Sequence, residues 1–233
     1  MPHDPLRPLP LPSVRRLPMY LRYLKQLEAE GRQVVSCTHI AEHLNLGSIQ
    51  VRKDLALTDI VGRPKVGYET RALIEAIESF LGWNNTHEAF LVGVGSLGSA
   101  LLGYGGFQDF GLSIVAAFDA AADKVGTTVH GKEILPMDMF ADLVRRMHMN
   151  IGILAVPAPV AQVVADLMAS SGMLAIWNFT PVKLTVPAPV VVEDVRMAAS
   201  FAVLAKRLGQ ATQGPLLDYP TADRLLCVDQ FPD

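Results

Sequence analysis

Three glycines with the spacing of a phosphate-binding turn stand near the middle of the chain. Gly93, Gly95 and Gly98 follow the apolar run 89–94, and residues 97–104 begin a predicted helix. In such a strand–turn–helix the first glycine allows the tight turn, and the second lets a pyrophosphate approach the backbone. The third lets the helix pack closely on the strand, and the N–H groups that open the helix favour an anion. The predicted cofactor-binding residues of this turn are Gly93, Val94, Gly95, Ser96, Leu97 and Gly98.

An acidic residue stands where a dinucleotide-binding turn needs one. Asp119 ends the next apolar run, 112–118, and lies 21 residues beyond Gly98. Its carboxylate can accept hydrogen bonds from both ribose hydroxyls of an adenosine, whereas it would repel a 2′-phosphate. Because no arginine follows it directly, the pattern favours NAD over NADP. Two other interpretations stay open: a glycine turn that binds nothing, and one that binds coenzyme A.

Two proline-containing segments follow later strands of the predicted sheet. Val156 and Pro157 come at the carboxyl end of one apolar run, and Asn178 and Phe179 at the end of another. In an open α/β sheet these ends face the ligand crevice, so we expect all four to line the nicotinamide half of the site. The alternative is that the prolines only punctuate loops.

A second group of polar side chains lies in the first quarter of the chain, on a predicted helix over 49–57. Its outward residues are Ser48, Gln50, Arg52 and Lys53, and its core residues are Ile49, Val51 and Leu55. Glutamine can read adenine, arginine or lysine can read guanine, and serine or lysine can hold phosphate. This inventory is typical of a DNA-recognition helix. The alternative is a solvated face of an interaction module.

Further basic residues surround this helix in the sequence. Arg63 and Lys65 stand at the tip of the segment 61–69, where they could contact a DNA backbone or enter a minor groove. Another basic group precedes or lies on the first predicted helix: Arg15, Arg16, Arg22 and Lys25. We include Arg16, Arg63 and Lys65 among the predicted DNA-binding residues.

Groups for catalysis and metal binding are scarce. His39 and His43 are spaced i, i+4, but no carboxylate or thiol completes a metal set, so we predict no metal. A nicotinamide dehydrogenase needs a proton donor or acceptor near the hydride site, and His130 and His148 fall in segments away from the crevice. We therefore expect a cofactor that acts as a signal, and no enzyme. An NAD-dependent oxidoreductase with an unusual front domain is the alternative.

The elements that must position the front group resemble a helix-turn-helix. Amphipathic helices are predicted over 19–30 and about 38–43, the second capped by Ser36, and turn residues 45–47 precede the helix at 49–57, capped by Ser48. Two short strands over 61–69 form a candidate wing, and a helix over 70–81 follows. Residues 82–86 are a linker.

After the linker, strands and helices alternate. Strands are predicted over 89–94, 112–118, 150–156, 174–179 and 190–193, and later helices over 159–170 and 195–208. This order favours an α/β fold, a Rossmann-type doubly wound parallel sheet behind an N-terminal winged helix-turn-helix. The predicted parts are a DNA-binding domain over 1–82, an NAD(H)-binding domain over 86–194, a C-terminal helix over 195–208 and a tail over 209–233.

Composition fits two domains of different character. The 233 residues carry a net charge of −3, but residues 1–82 hold 11 basic against 9 acidic residues, and residues 83–233 hold 9 against 14. Cys37 and Cys227 form no disulfide framework. No apolar run approaches the roughly 20 residues that span a bilayer, and the start lacks a secretion signal, so we expect a cytoplasmic protein.

Several segments, in order and spacing, match one known family. They are Arg16-Leu17-Pro18, Tyr20-Leu21-Arg22, Gln50-Val51-Arg52-Lys53-Asp54-Leu55, Val66-Gly67-Tyr68, Leu91-Val92-Gly93, Gly95, Leu97-Gly98-Ser99-Ala100-Leu101, Tyr104, Gly106-Phe107, Ala116-Ala117-Phe118-Asp119, Val156-Pro157, Ala161-Gln162, Val164-Ala165-Asp166-Leu167, Asn178-Phe179 and Pro181. Together they resemble the Rex redox-sensing transcriptional repressors of bacteria, over some four fifths of the chain.

The resemblance implies a homodimer that binds a palindromic double-stranded DNA operator when NADH is scarce and leaves it when NADH accumulates. NAD+ would compete for the same site. It also implies that the last helix swaps between subunits. With the resemblance we add Tyr104 to the predicted cofactor-binding residues and Tyr68 to the predicted DNA-binding residues. Lys124, five residues after Asp119, is also among the predicted cofactor-binding residues.

The chain departs from the family pattern at three places. Pro64-Lys65 precedes Val66-Gly67-Tyr68 where the family usually has Arg-Gly, and the segment after the recognition helix is Ala56-Leu57-Thr58-Asp59 instead of Ser-Tyr-Phe-Gly. Arg196 stands where the family commonly has an aspartate that pairs with the arginine corresponding to Arg22. Asp194 and Glu193 are the acidic residues that could replace it. An alternative interpretation is therefore a Rex-like DNA-binding protein with a lost or altered redox response.

Overall fold

The computed structural model describes residues 10–212, and the predicted tail beyond 212, with Cys227, lies outside the described residues. The front part contains five helices and two short strands among these residues. Their bounds are α1 Leu11–Val14, α2 Leu17–Ala29, β1 Val34–Val35, α3 Cys37–Leu44, α4 Ser48–Leu55, β2 Tyr68–Glu69 and α5 Thr70–Leu81, with a 3-10 turn at Ala56–Thr58 after α4. The predicted order of helices is therefore present.

Local chemistry explains where α3 begins and ends. The hydroxyl of Ser36 accepts a hydrogen bond from the His39 N–H, which satisfies one of the free amides at the start of the helix. Asn45 ends the helix in the left-handed conformation, with φ +53°. The predicted Ser48 cap of α4 is wrong, because Gly47 occupies the N-cap position and no side chain caps the helix.

A single apolar core holds the front helices together. Its fully buried large residues include Leu17, Tyr20, Leu24, Ile40, Leu55, Leu73 and Ile77, contributed by α2, α3, α4 and α5. The helix α4 contributes Val51 and Leu55 to this core, both at 0% exposure. Ile49 was predicted to face the core as well, and that prediction is wrong: its side chain is 70% exposed.

The wing differs from the predicted pair of strands over 61–69. β2 pairs antiparallel with β1, with Val34 opposite Glu69 and Val35 opposite Tyr68. Residues 63–67 form a tight turn closed by two backbone hydrogen bonds between Arg63 and Gly67. Gly67 has φ +106°, and a Cβ there would lie 2.3 Å from the Val35 carbonyl oxygen. The close approach of β1 therefore requires glycine at this position.

The back part is a seven-stranded sheet. Its strands are β3 His87–Val92, β4 Leu112–Asp119, β5 Thr128–Val129, β6 Lys132–Pro136, β7 Ile151–Leu154, β8 Ala175–Asn178 and β9 Val191–Asp194, in the order β5-β6-β4-β3-β7-β8-β9. All neighbours are parallel except the edge pair β5–β6. The helices are α6 Ser96–Leu102, α7 Phe140–Arg146, α8 Ala161–Ser171 and α9 Met197–Ala211.

Two apolar clusters cover the two faces of this sheet, as a doubly wound fold requires. One contains Phe90, Phe118, Phe140 and Ile176, and the other contains Leu91, Phe107, Ile134 and Ile153. Alternate residues of β3, such as Phe90 and Leu91, enter opposite clusters because side chains alternate across a strand. Among the described helices, none is long and apolar enough to cross a membrane.

Candidate nucleotide site and candidate DNA interface

The glycine turn joins β3 to α6 at the carboxyl end of the central strand. Gly93 has φ +95°, and a Cβ on it would lie 2.6 Å from the Ala155 carbonyl oxygen. A Cβ on Gly98 would lie 1.8 Å from the Gly93 carbonyl oxygen, so the helix packs directly on the turn. A Cβ on Gly95, by contrast, would meet nothing within 4 Å. Two glycines are thus required by the chain itself, and Gly95 instead borders open space.

The Asp119 carboxylate lies directly beside the turn. One oxygen accepts hydrogen bonds from the Val94 N–H at 2.7 Å and from Lys124 Nζ at 3.1 Å, and the other accepts from the Ala121 N–H at 2.9 Å. Burial raises the pKa of Asp119, but the hydrogen bonds from the two backbone amides and the nearby Lys124 outweigh it, so the pKa lies below its ordinary value. The group is therefore a fixed anion at the edge of the turn.

The four residues predicted to line the nicotinamide half differ in how exposed they are and in whether they already form hydrogen bonds within the protein. After β7, Val156 is half-buried and Pro157 is exposed. After β8, Phe179 is half-buried. Asn178 is fully buried, and its amide nitrogen donates to the Val182 carbonyl and to Asp194. Its amide oxygen accepts from the N–H and the hydroxyl of Thr180. Asn178 therefore holds the loop that follows β8, and a direct ligand contact from it stays a prediction.

Tyr104 lies away from the glycine turn. It follows the C-terminal end of α6, whereas the turn lies at the N-terminal end. Tyr104 lines a cavity with Ser113 near the start of β4 and with His130 and Lys132 of the edge hairpin. The chain alone thus does not bring Tyr104 into the crevice formed by the turn and Asp119, and its contact with a cofactor stays a prediction.

The outer face of α4 is basic and exposed to solvent. Gln50, Arg52 and Lys53 are exposed, and within residues 10–212 their side chains make no hydrogen bond or ion pair. Ser48 is half-buried at the first position of the helix. Arg63 and Lys65 are exposed at the tip of the wing. These side chains are available to an external partner.

Tyr68 links the wing to α4. It is half-buried, and burial together with the neighbouring Cys37 raises its pKa, while Arg52 lowers it. The base of the wing is therefore close enough to α4 for Arg52 to influence Tyr68. Its predicted DNA contact stays a prediction.

Arg16 is held within the protein, although it was predicted to bind DNA. Its guanidinium donates to both carboxylate oxygens of Asp54, at 2.7 and 2.8 Å, and Tyr20 donates to the same carboxylate at 2.6 Å. Asp54 is 1% exposed and lies on α4. Burial raises the pKa of Asp54, but the hydrogen bonds from Arg16 and Tyr20 lower it by more, so the net pKa lies below its ordinary value. This network ties the start of α2 to the candidate recognition helix.

Sequence reasoning missed the roles of Asp54 and Tyr20. The available signal was the position of Asp54, three residues after Val51 and next to Leu55, on the side of α4 that packs inward. A carboxylate on a core face needs partners, and Arg16 and Tyr20 supply them.

The acidic residues near Arg196 have other partners. Glu193 pairs with Arg15 of the front part at 3.1 Å, and Asp194 accepts from Asn178 and lies 3.7 Å from Arg196. Arg22 is exposed and has no ion-pair partner within residues 10–212. The suggested replacements therefore do not pair with Arg22 in this structure. Glu193 instead connects the two parts of the chain through a different arginine.

Two family profiles match successive parts of the chain. A family described as a putative DNA-binding protein N-terminus matches residues 8–56, and one described as a CoA binding domain matches residues 84–182. The redox-sensing transcriptional repressor Rex of Treponema denticola is 48% identical over 193 residues, covering 83% of this chain and 92% of that protein. The Rex of Bacteroides fragilis is 45% identical over 206 residues, covering 88% and 94%.

Solved structures agree over most of the length. RSP in complex with beta-NAD+ and operator DNA has a TM-score of 0.83 at 29% identity, covering 89% of this chain and 95% of that one. RSP in complex with beta-NADH has a TM-score of 0.80 at 29% identity, covering 89% and 97%. A further structure of RSP is described as a Rex-family repressor, with a TM-score of 0.81.

Proposed function

The chain belongs to the Rex family of redox-sensing transcriptional repressors, and from that premise we propose that NADH releases it from its operator. The relatives are named as repressors and not as enzymes. The proposed partner is a palindromic double-stranded DNA, bound by a homodimer in the cytoplasm. NAD+ competes with NADH for one site, so the operator responds to the ratio of the two.

The observation that carries this proposal is the open space at Gly95 beside the Asp119 carboxylate. Gly95 needs no glycine for its own backbone, with φ −78° and ψ −167°, and no protein atom lies where its Cβ would be. A pyrophosphate that approaches the turn would use this space, and Asp119 would accept from the ribose hydroxyls. The residues present therefore fit an adenine dinucleotide.

We also propose that the other predicted cofactor-binding residues near the turn and at the ends of β7 and β8 contact the dinucleotide. The turn residues Val94, Ser96 and Leu97 lie between or beside the glycines, and Lys124 lies against Asp119. Val156, Pro157 and Phe179 lie at the carboxyl ends of β7 and β8, where the nicotinamide half would extend. These residues would orient the ligand, and hydride chemistry is not required of them.

The DNA side of the proposal rests on α4 and the wing. Four residues on the exposed face or first turn of α4 and three on the wing form the proposed contact surface: Ser48, Gln50, Arg52, Lys53, Arg63, Lys65 and Tyr68. Arg16 would act mainly by holding α4 through Asp54. The domain assignment carries over as a proposal: 1–82 for DNA, 86–194 for the nucleotide and 195–208 for the swapped helix, which in the structure is α9 Met197–Ala211. The predicted tail over 209–233 therefore begins within that helix, and it has no assigned role.

The last helix supports the proposed dimer. Along α9 the side chains of Met197, Phe201, Leu204 and Leu208 are 56 to 68% exposed. An isolated amphipathic helix with this much apolar surface is stabilised by packing against another element. We propose that the partner subunit covers it, in the swapped arrangement that the family resemblance implies.

Redox sensing requires a difference in affinity. A ligand shifts an equilibrium only as far as it binds one state better than the other. NADH must therefore stabilise the arrangement that cannot hold the operator more than the one that can. NAD+, bound at the same turn and Asp119, must differ less than NADH does in its affinity for the two arrangements.

The test replaces Gly95 with alanine. A Cβ at this position meets no protein atom, so we expect an unchanged melting temperature, whereas it intrudes on the proposed pyrophosphate space. Operator binding is measured by fluorescence anisotropy across NADH/NAD+ ratios at fixed salt. We expect the wild type to leave the operator as the ratio rises, and G95A to bind the operator normally at every ratio. A G95A protein that still responds to NADH as the wild type does would refute the assignment of the turn.

Coenzyme A is a second candidate ligand for the same site, because the profile that matches residues 84–182 is described as a CoA binding domain. Coenzyme A carries a phosphate on its ribose, which the fixed Asp119 anion would repel. Calorimetric titrations with NADH, NADPH and coenzyme A separate the candidates. We expect NADH to bind most tightly, and tighter binding of coenzyme A would favour the second candidate.

A further inference from the structure

The exposed side chain of Ile49 is one feature of the front part that the sequence did not predict. Ile49 lies in the first turn of α4 and is 70% exposed, while Val51 and Leu55 of the same helix are fully buried. The core is therefore complete without it. Nothing in the packing of the described residues accounts for a large apolar side chain at this position.

Helical spacing places Ile49 among the basic residues of α4. Residues three and four positions apart are neighbours on a helix surface, so Ile49 shares a face with Arg52 and Lys53. Both of these side chains are exposed and lack ion-pair partners within the described part of the chain. The apolar group is thus next to positive charges suited to phosphates, and this charge pattern favours DNA over an apolar protein surface.

The position in the helix narrows the partner further. In a helix-turn-helix, residues near the N-terminus of the second helix contact base edges in the major groove. The apolar group that the major groove presents is the 5-methyl of thymine. An isoleucine cannot donate or accept a hydrogen bond, so its contribution to sequence reading must come from contact with such a group.

We propose that Ile49 reads a thymine in each half-site of the operator, by packing against the 5-methyl group in the major groove. The proposal rests on the proposed function, because it requires that α4 enters a DNA groove. It adds a specificity-determining residue and names the base that the residue selects. Burial of one methyl group corresponds to about a fourfold change in affinity for each half-site.

The test removes single methyl groups from the DNA. An operator is first selected from randomised duplexes with the full-length wild-type protein. Each symmetric pair of thymines is then replaced by deoxyuridine, which lacks only the 5-methyl, and dissociation constants are measured at fixed salt. We expect the wild type to lose roughly fourfold in affinity per half-site at one thymine position. Ile49→Ala should bind the unmodified operator more weakly and lose its response to that one replacement.

A matched control separates the contact from general effects of removing an exposed apolar side chain. Val163 of α8 is also 70% exposed and lies on the nucleotide-binding part of the chain. Val163→Ala should keep the wild-type response to every replacement, and both variants should keep the wild-type melting temperature.

Two results would overturn the inference while leaving the proposed function intact. One is a wild type that binds its selected operator with no thymine sensitive to loss of the methyl group. The other is an Ile49→Ala variant that responds to each replacement as the wild type does. A failure of the proposed function looks different, because then no specific operator is selected at all.

Discussion

Asp54 shows how one buried carboxylate can fix the geometry of the candidate recognition helix. It is 1% exposed and receives hydrogen bonds from Arg16 and Tyr20, both on or next to α2. A buried charge without partners is expensive, so the ion pair must form whenever α4 packs against α2. The network thus selects one placement of α4 relative to the core.

We expect Asp54→Asn to destabilise the fold by about 2–4 kcal/mol at neutral pH. Removing one partner of a buried ion pair leaves the other uncompensated, and the cost falls below that of a fully buried pair because Arg16 stays 22% exposed. Urea unfolding followed by circular dichroism measures the difference. Asp59→Asn, which alters an exposed carboxylate close to α4, is the control and should cost little.

The same pair of proteins tests the pH dependence. The pKa of Asp54 is lower in the folded protein than in the unfolded chain, so the folded state binds fewer protons and stability rises with pH. This contribution is complete above the unfolded value of about 3.9 and is lost as the pH falls through the folded value. The gap in stability between wild type and Asp54→Asn should therefore shrink below about pH 4. A gap that is constant from pH 7 to pH 3 would contradict the assignment.

Residue types predicted the geometry of the glycine turn, but not which residues of α4 face the core, for a physical reason. Gly93, Gly95 and Gly98 form one turn within six residues, so the sequence displays their spacing directly, and Gly98 is required by the Gly93 carbonyl of the same turn. Whether Ile49 or Asp54 faces the core depends on how α4 is rotated against α2, which separated parts of the chain decide together. The spacing of apolar residues along α4 correctly places Val51 and Leu55 in the core, but it does not show that Asp54, and not Ile49, is the third buried residue.

At the scale of elements, α4 and the wing form a surface whose affinity for DNA should be electrostatic in large part. Arg52→Ala and Lys53→Ala each remove an exposed cation that has no partner within residues 10–212, so neither should unfold the protein. We expect operator binding to weaken by about 5- to 150-fold for Arg52→Ala if it reads a base, through loss of about 1–3 kcal/mol.

Salt dependence distinguishes the roles of the two residues. A lysine that contacts phosphate lowers the slope of log affinity against log salt by about one unit when it is removed. Anisotropy titrations at several salt concentrations measure this slope. Arg145→Ala, on an exposed position of α7, is the control and should leave affinity and slope unchanged. Wild-type binding by both α4 variants would rule out α4 as the recognition helix.

Elements that are fixed by residues close together in the sequence were predicted closely. Elements that depend on pairing with a distant segment were not. The helix predicted over 70–81 has these bounds in the structure, ending at Gly82 with φ +72°. The wing was predicted as two adjacent strands, but β2 pairs with Val34–Val35, over 30 residues earlier in the chain. Strand pairing of that separation leaves no local pattern in the sequence.

At the scale of the whole molecule, α9 should decide the oligomeric state. Phe201 and Leu204 are 68% and 62% exposed, and no described residue of the same chain buries them. Replacing both with aspartate puts charges into the proposed subunit contact, where unpaired charges are costly. We expect a dimer for the wild type and a monomer for the double variant by light scattering. Lys206→Ala, a polar exposed position of the same helix, should stay dimeric.

The ion pair of Arg15 and Glu193 is one contact between the front and back parts, and its exposure limits how much it can contribute to redox coupling. The side chains are 68% and 60% exposed, and such pairs are worth at most about 1 kcal/mol. Coupling between sites is reciprocal, so NADH should weaken operator binding by the same factor as the operator weakens NADH binding. Glu193→Gln should therefore change that factor by less than about fivefold, measured both ways at one salt concentration. A larger change would mean that Arg15 and Glu193 are desolvated in one of the two states, since only a desolvated pair could supply more free energy to the coupling.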